Sequence, residues 1–272
     1  MFGPLTMSTI QLEATDRIFW ITLCRPEAMN AIDRTMNAAL WDAWRAFDAD
    51  SSLDVAIITG SGQAFCAGAD LDDYIPNWLQ ARMVDVRHNV GTGLGGITRG
   101  LHRIYKPIIG AINGWALAGG FELALACDVR IASSAARFGS FEIHHGFHHG
   151  DGGIVRLVAS LGLARTLELV LSGREMCADE AYRLGLVAQV VAPEELKATA
   201  QAYARKILSY DQTAVRSAKE TILEVVGRSI DDALRLEALY GYSSGDLTEI
   251  RKRLDQFFAS RSKPSKHDPG VG

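Results

Sequence analysis

Two glutamates in apolar surroundings are the residues of this sequence that could exchange protons with a bound substrate. Glu122 stands among Phe121 and Leu123 in the predicted first turn of a helix, and Glu142 follows near a predicted strand end. An apolar pocket raises the pKa of a carboxyl group, and two such groups can be held in different protonation states. Taken singly, each glutamate is also compatible with a surface position or with capping a backbone group. As a pair they are candidates for a general acid and a general base.

Two glycine-bearing junctions could supply backbone donors to the same substrate. Residues 67–70 (AGAD) follow the apolar run VAIITG, and residues 118–120 (AGG) follow PIIGAIN; each is predicted to open a helix. A helix start presents unpaired N–H groups, and small residues let a ligand approach the backbone. Two such starts facing each other would stabilise a developing oxyanion. Alternatively, the glycines serve only the close packing of strand against helix.

The elements that must position these residues alternate between strands and helices. Apolar residues recur at helical spacing over residues 35–48, and short apolar runs predict strands at 17–24, 55–60, 107–113 and 129–133. Such alternation indicates a layered α/β core. From residue 193 the pattern predicts successive helices. We therefore divide the chain into a core (1–192), a helical region (193–260) that packs on the core or on a neighbouring subunit, and a flexible tail (261–272).

Composition excludes several classes of protein. The chain of 272 residues carries 28 Lys+Arg and 32 Asp+Glu, a net charge of −4, so no nucleic-acid partner is expected. The apolar stretch 107–127 contains Glu122, which favours a buried strand, turn and helix over a membrane span. The four cysteines form no CxxC pair, which indicates a reducing compartment and a cytoplasmic location. Residues 91–96 (GTGLGG) match a dinucleotide fingerprint but follow polar residues, so a flexible loop is the better interpretation.

The segments GSGQAFCAGADL, KPIIGAINGWALAGGFELALACDVRIAS and ARFGSFEI, in this order, resemble the enoyl-CoA hydratase/isomerase (crotonase) family. RPEAMNAID and LVLSGREMCADEAYRLGLVAQVV resemble the opening and a downstream segment of that family, so the resemblance covers about residues 10–260. It implies a crotonase-like spiral of ββα units with a C-terminal helical trimerisation region. It further implies a homotrimer or a dimer of trimers.

The resemblance also implies roles for the residues introduced above. The backbone N–H groups of Ala69 and Gly119 become an oxyanion hole for the thioester carbonyl of an acyl-CoA. Glu122 and Glu142 occupy the positions that hydratases of the family fill with catalytic glutamates. We expect Glu122 to activate water and Glu142 to protonate C2. No metal and no separate cofactor is expected, since coenzyme A is part of the substrate.

Coenzyme A itself should be held near the two junctions. Lys252 and Arg253 could reach the coenzyme A of a neighbouring subunit, although a solvated helix face explains them equally well. The candidate contacts to the phosphates and the pantetheine arm are Arg25, Ala67, Asp70 and Leu71.

The stretch after Glu142 departs from the family pattern. Residues 143–153 read IHHGFHHGDGG and hold four of the seven histidines. Histidines four apart share a face only on a helix, which Gly146 and Gly150 oppose, so no metal site is expected. These residues either line the acyl pocket or face solvent. The candidates for the acyl pocket are His148, His149, Asp151 and Trp115, with Phe65, Trp78 and Phe141 as further apolar wall or core residues.

The activity that fits these features is that of an enoyl-CoA hydratase, which adds water across the 2,3 double bond of an acyl-CoA thioester. The polar stretch keeps two alternatives open. One is a double-bond isomerase or a hydrolase acting on a polar or cyclic acyl-CoA. The other is a noncatalytic homologue that binds coenzyme A or RNA, for which both carboxylates would be dispensable.

Overall fold

The computed structural model describes residues 6–7 and 9–261. They fall into two compact units that divide between Ser209 and Tyr210. All strands of the described chain belong to the first unit: β1 (Thr6–Met7), β2 (Ile10–Thr15), β3 (Ile18–Leu23), β4 (Val55–Gly60), β5 (Ala64–Cys66), β6 (Ile108–Ile112), β7 (Trp115–Leu117), β8 (Val129–Ser133), β9 (Arg137–Gly139), β10 (Glu175–Cys177) and β11 (Gln189–Val191).

The α-helices are shared between the two units. In the first unit they are α1 (Arg34–Ala49), α2 (Tyr74–Leu79), α3 (Met83–Thr92), α4 (Gly119–Ala126), α5 (Gly153–Ser172), α6 (Ala178–Arg183) and α7 (Leu196–Leu208). In the second unit they are α8 (Gln212–Val225), α9 (Ile230–Ser243) and α10 (Leu247–Arg261). Short 3-10 helices span Pro26–Ala28, Phe141–His145 and Pro193–Glu195.

Two sheets are built from alternate strands of the chain. The larger sheet has the order β1-β2-β3-β4-β6-β8-β11 and is parallel from β3 onward; the smaller has the order β10-β9-β7-β5. Each of β4, β6 and β8 is followed by a short strand of the smaller sheet and then by a helical segment. This repetition is the spiral of ββα units that the sequence predicted, so the α/β fold class is confirmed.

Apolar periodicity explains why α1 and the sheet form. Asp33 caps α1 by accepting a hydrogen bond of 2.7 Å from the amide of Met36, and Met36, Leu40 and Trp44 are fully buried. Each large side chain removed from water contributes about 1.5–3 kcal/mol. Every residue of β6 is buried as well, as expected for a central parallel strand. The predicted elements at 17–24, 35–48, 55–60, 107–113 and 129–133 all agree with the structure to within two residues.

The start of α4 agrees with prediction, whereas residues 67–70 do not open a helix. They follow β5, and the amide of Ile32 donates to the Gly68 carbonyl oxygen at 2.7 Å while the amide of Asp70 donates to the Ile32 carbonyl oxygen at 2.9 Å. This pairing keeps the segment extended, and α2 begins only at Tyr74. The sequence pattern missed it because the partner segment is remote in the chain.

Within the glycine-rich segment 91–96, residues 91 and 92 end α3 and residues 93–96 form a buried turn, while the predicted flexibility of this loop stays a prediction. Gly93, Gly95 and Gly96 have positive φ, and the indole N–H of Trp44 donates to the Gly95 carbonyl oxygen at 2.9 Å. A helix, α3, precedes the turn instead of the strand that a dinucleotide site requires.

Helix α7 belongs to the first unit because its apolar side packs on the larger sheet. Leu196, Ala200 and Ala204 are buried against strand residues such as Ile57 and Ile109. The division between the compact units therefore follows α7, and the predicted division of the chain into a core and a helical region at residue 193 stays a prediction. Residues 262–272 of the expected tail lie outside the described residues.

A side chain of β8 binds the C-terminal end of α4. Arg130 of β8 donates to the carbonyl oxygens of Ala124, Leu125 and Cys127 at the C-terminal end of α4.

Within residues 6–7 and 9–261, the structure has no helix with the length and apolarity needed to cross a bilayer.

Candidate active site

A cavity of about 450 Å³ opens in the first unit between α4, the turn before Leu94 and the segment after β9. It brings together residues that are far apart in the sequence. Those of the sequence-predicted residues that line it are Ala67, Ala69, Leu71, Gly119, Glu122, Phe141, Glu142, His148 and Asp151.

The backbones of Ala69 and Gly119 approach each other at one wall of this cavity. A Cβ atom placed on Gly119 would lie 3.5 Å from the amide nitrogen of Ala69, and one placed on Gly68 would lie 2.9 Å from the amide nitrogen of Gly119. Gly119 is the first residue of α4, so its N–H has no acceptor within the helix. Ala118 before it has φ 48°, a positive value that residues with a side chain rarely adopt. The amide nitrogen atoms of Ala69 and Gly119 therefore lie close together at this wall.

Glu122 lies in the first turn of α4 and is 2% exposed. Its Oε1 atom accepts hydrogen bonds from the amides of Asp151 at 2.7 Å and Gly153 at 2.9 Å. Both donors belong to the start of α5, where the helix dipole also favours a negative charge. The backbone of a neighbouring helix therefore holds this carboxylate.

Glu142 lies in the 3-10 helix after β9 and is 4% exposed. Its Oε1 atom lies 2.7 Å from Nδ1 of His149, an ion-pair distance. Within the described residues, neither carboxylate oxygen of Glu142 has a hydrogen bond of good geometry. Compensation of a buried negative charge here rests on the imidazole.

His149 is buried beside both glutamates and does not line the cavity, contrary to its prediction as an acyl-pocket residue. Its Nδ1 atom also lies 3.4 Å from Oε1 of Glu122, and its Nε2 atom lies 2.8 Å from Oγ of Ser140. Burial lowers the pKa of this imidazole, but the contacts with Glu122 and Glu142 outweigh burial and raise the pKa of His149 to about 9. The imidazole is therefore positively charged at neutral pH.

Asp151 faces the cavity and accepts a hydrogen bond of 2.8 Å from the amide of Leu94. Its carboxylate lies 3.3 Å from the guanidinium of Arg99, which lines the cavity too. Burial, together with the nearby charge of Glu122, raises the pKa of Asp151 above its usual value. The cavity thus has a polar side formed by residues 99 and 151.

The family model for enoyl-CoA hydratase/isomerase matches residues 13–267 of this sequence. The chain belongs to the enoyl-CoA hydratase/isomerase family. A probable enoyl-CoA hydratase of Rhizobium meliloti (strain 1021) is 36% identical over 268 residues, covering 97% of this chain and 100% of that protein. A crotonyl-CoA hydratase of Syntrophomonas wolfei is 37% identical over 235 residues, covering 86% and 88%. The crystal structure of an enoyl-CoA hydratase from Bacillus anthracis superposes with a TM-score of 0.81 at 33% identity, covering 94% and 96%.

Several residues that the family resemblance suggested lie away from the cavity. Arg25 does not line it: its Nη1 atom lies 2.9 Å from Oδ2 of Asp70 and 2.6 Å from the Ala31 carbonyl oxygen, with Asp33 at 3.4 Å. This guanidinium thus ties two loops together, and Asp70 is its partner.

Some of the aromatic candidates for the cavity wall line the cavity and others lie away from it. Phe65 is fully buried in the core, Trp115 is half-buried in β7 and does not line the cavity, and Phe141 lines it. The side chain of Trp78 lies outside the described residues.

In the second unit, Lys252 and Arg253 pair with Glu249 at 3.3 and 2.9 Å.

Sequence reasoning missed the members of this family site that carry no motif. Ser140 and Arg99 are polar residues in ordinary segments, and their contacts arise from tertiary packing. Gly153 offered a signal, since a glycine at a helix start marks close approach. The cavity residues that were not predicted are Tyr74, Ile75, Val86, Val90, Leu94, Arg99, Leu117, Ala118, His145, Phe147 and Gly150.

One group of described residues could offer three ligand atoms to a metal ion. Glu122, Glu142 and His149 place one oxygen or nitrogen atom each within 4.8 Å of one another. The protonated imidazole lies next to both carboxyl groups and offsets part of their negative charge without an ion. The other histidines of this stretch do not form a cluster with them, since the 3-10 helix ends at His145.

Proposed function

We propose that this chain is an enoyl-CoA hydratase. The observation that carries the proposal is the convergence on one cavity of the Ala69 and Gly119 backbone and the carboxylates of Glu122 and Glu142. Two amides aimed at one oxygen suit a thioester carbonyl that gains negative charge, and each such donor contributes about 3 kcal/mol. Two carboxyl groups beside it suit a reaction that removes one proton and delivers another.

The chemistry follows from the charge that the substrate develops. The amides of Ala69 and Gly119 draw electrons toward the carbonyl oxygen, which makes C3 electrophilic. Glu122 accepts a proton from water as the water oxygen bonds to C3. Glu142, protonated at that moment, delivers its proton to C2, and the product is the 3-hydroxyacyl thioester. Only protons and electron pairs move, so the scheme needs no metal and no redox cofactor.

The acyl group is proposed to carry a polar substituent. Leu71, Val86 and Val90 give the cavity apolar walls, whereas Arg99 and Asp151 add charge to it. This partly buried ion pair would gain no polar partner from a plain alkyl chain. We expect kcat/KM for an enoyl-CoA with a terminal hydroxyl to exceed that for crotonyl-CoA, and the reverse order would contradict this part of the proposal.

The test of the activity is the loss of ultraviolet absorbance from the conjugated thioester when the purified chain meets crotonyl-CoA or a longer enoyl-CoA. Glu237→Gln, on exposed α9, serves as the matched control for Glu-to-Gln changes at the site. A chain that leaves all these substrates unchanged would refute the hydratase proposal. Conversion of a 3-enoyl-CoA with a gain of absorbance would favour the isomerase instead.

We also propose an assembly and a location for the chain. A homotrimer or a dimer of trimers would cover exposed apolar side chains of the second unit such as Leu234, Leu239 and Phe258. The four cysteines are free, which suits a cytoplasmic location. Light scattering on the purified chain should give three or six copies, and a monomer would contradict the assembly.

A further inference from the structure

Glu122 and Glu142 differ in what compensates their charge, and the difference identifies His149. Two backbone amides hold Glu122, whereas Glu142 has only the imidazole close to its carboxylate among the described polar groups. A buried carboxylate without a partner is strongly disfavoured. One nitrogen atom, Nδ1 of His149, is within 3.4 Å of an oxygen from each glutamate; both are ion-pair contacts, since among the described residues Nδ1 makes no hydrogen bond of good geometry.

The surroundings fix the imidazole ring in this bridging position. Ser140 holds Nε2 at 2.8 Å, and the ring lies against the start of α5. A Cβ atom on Gly153 would lie 2.6 Å from Nδ1 of His149, so the glycine leaves the space that the ring fills. The side chain of His149 is 1% exposed, which removes water as a competing partner.

We propose that His149 is a positioning residue that holds the two carboxylates together and returns a proton from Glu122 to Glu142 after each turnover. The inference rests on the proposed hydratase function and adds to it a residue that acts through the glutamates and not on the substrate.

The proton count requires such a return. After hydration Glu122 carries the proton taken from water, and Glu142 has lost the proton that went to C2. The imidazolium gives its Nδ1 proton to the Glu142 carboxylate, and the neutral Nδ1 then takes the proton from Glu122. The site regains its starting protonation with no net gain or loss of protons.

Charged and titratable groups around the imidazole support a positive His149. Glu122 faces it from α4 and Glu142 from the 3-10 helix, while Ser140 offers a neutral hydroxyl. Asp151 lies next to Glu122, and Arg156 of α5 donates to the Asp151 carbonyl oxygen at 3.3 Å. The pKa of His149, raised to about 9 by the two glutamates against the effect of burial, agrees with this balance.

The first experiment compares His149→Asn with the wild type and with His88→Asn, a matched control on the exposed side of α3. Asparagine keeps an N–H group near the Nδ1 position but cannot carry the proton. We expect kcat to fall about 10–100-fold with KM within about 3-fold, and the control to match the wild type. The decline of wild-type kcat as pH rises through about 9, the pKa of His149, should be absent from the His149→Asn profile. An unchanged kcat and pH profile in a folded variant would overturn the proposal.

The second experiment needs no turnover and also covers a variant that fails to fold. Nitrogen-15 NMR of the imidazoles in the wild type should show one histidine that stays protonated well above pH 7. In Glu142→Gln and in Glu122→Gln the same resonance should titrate at least 1 pH unit lower. A full set of histidines that titrates near pH 6.5 would overturn the bridge itself. A chain with the NMR signature but without hydration of any enoyl-CoA would refute the proposed function alone.

Discussion

Glu122 at the start of α4 and Glu142 in the 3-10 helix after β9 are two buried carboxylates whose partners differ. Glu122 is held by backbone amides of Asp151 and Gly153, which keep their hydrogen atoms at every pH of interest. Glu142 is paired with His149, a side chain that gains and loses a proton. A backbone partner fixes a charge, whereas a titratable partner lets the charge move. Under the proposed mechanism, the base is held in one charge state while the acid is reprotonated after each turnover.

Removal of either carboxylate should have the largest effect on this pair. Glu122→Gln and Glu142→Gln should each lower kcat about 10³-fold with KM changed only a few-fold, because each loses a proton transfer in the transition state. The double variant should be no slower than about the worse single variant, since the two groups act as a unit. Steady-state kinetics on crotonyl-CoA measures both. A double variant that multiplies the single effects would break the comparison, because the two carboxylates would then act independently.

Crowding of the amide pair should come next. Gly119→Ala would place a methyl group 2.4 Å from the Leu94 side chain and 3.5 Å from the Ala69 amide, displacing the carbonyl oxygen. We expect kcat/KM to fall about 10²-fold while the carboxylates remain in place. Gly91→Ala is the matched control, because nothing lies within 4 Å of a Cβ there. Equal rates for the two variants would remove the amides from the mechanism.

The stability of the folded chain should also report the titratable partner. The pKa of His149 in the folded state, about 9, exceeds the ordinary value of 6.5, so the contribution is complete below pH 6.5 and is lost as pH rises through 9. A few kcal/mol should disappear from the free energy of unfolding over that window. Urea unfolding at pH 6 and pH 9.5 measures the loss, which His149→Asn should abolish. The same loss in that variant would assign it to other groups.

The smallest expected effect concerns the second contact of the imidazole. Ser140→Ala removes the hydroxyl 2.8 Å from Nε2 and should lower the free energy of unfolding by about 1 kcal/mol. The charge between the glutamates stays, so kcat should fall only about 2–5-fold. Ser244→Ala, in the second unit, is the control, because it also removes one hydroxyl hydrogen bond, to the Gly241 carbonyl oxygen at 2.9 Å. A loss of kcat as large as that of His149→Asn would show that the hydroxyl, and not the charge, governs the pair.

Local sequence patterns predicted many of the strands and helices but not the contact of His149 with the two glutamates. The apolar run of β6 and the small residues before Glu122 specify a strand and a helix start without help from remote residues. Strands β5 and β7 have three residues each, too few for a periodicity of two to register. His149 stands between His148 and Gly150 in a polar segment, so nothing local distinguished it from its exposed neighbour. Its burial arises from tertiary contacts of the segment 140–153 and not from a local pattern.

Arg130 gives α4 a fixed anchor at the end opposite Gly119. The guanidinium binds the terminal carbonyl groups of the helix and also donates to the Leu186 carbonyl oxygen at 2.6 Å. A helix of eight residues held at its far end has little freedom to slide if, as proposed, a thioester binds at its first amide. The helix therefore needs no further ordering when the ligand binds. Calorimetry of acyl-CoA binding should accordingly show no sign of coupled folding in this part of the chain.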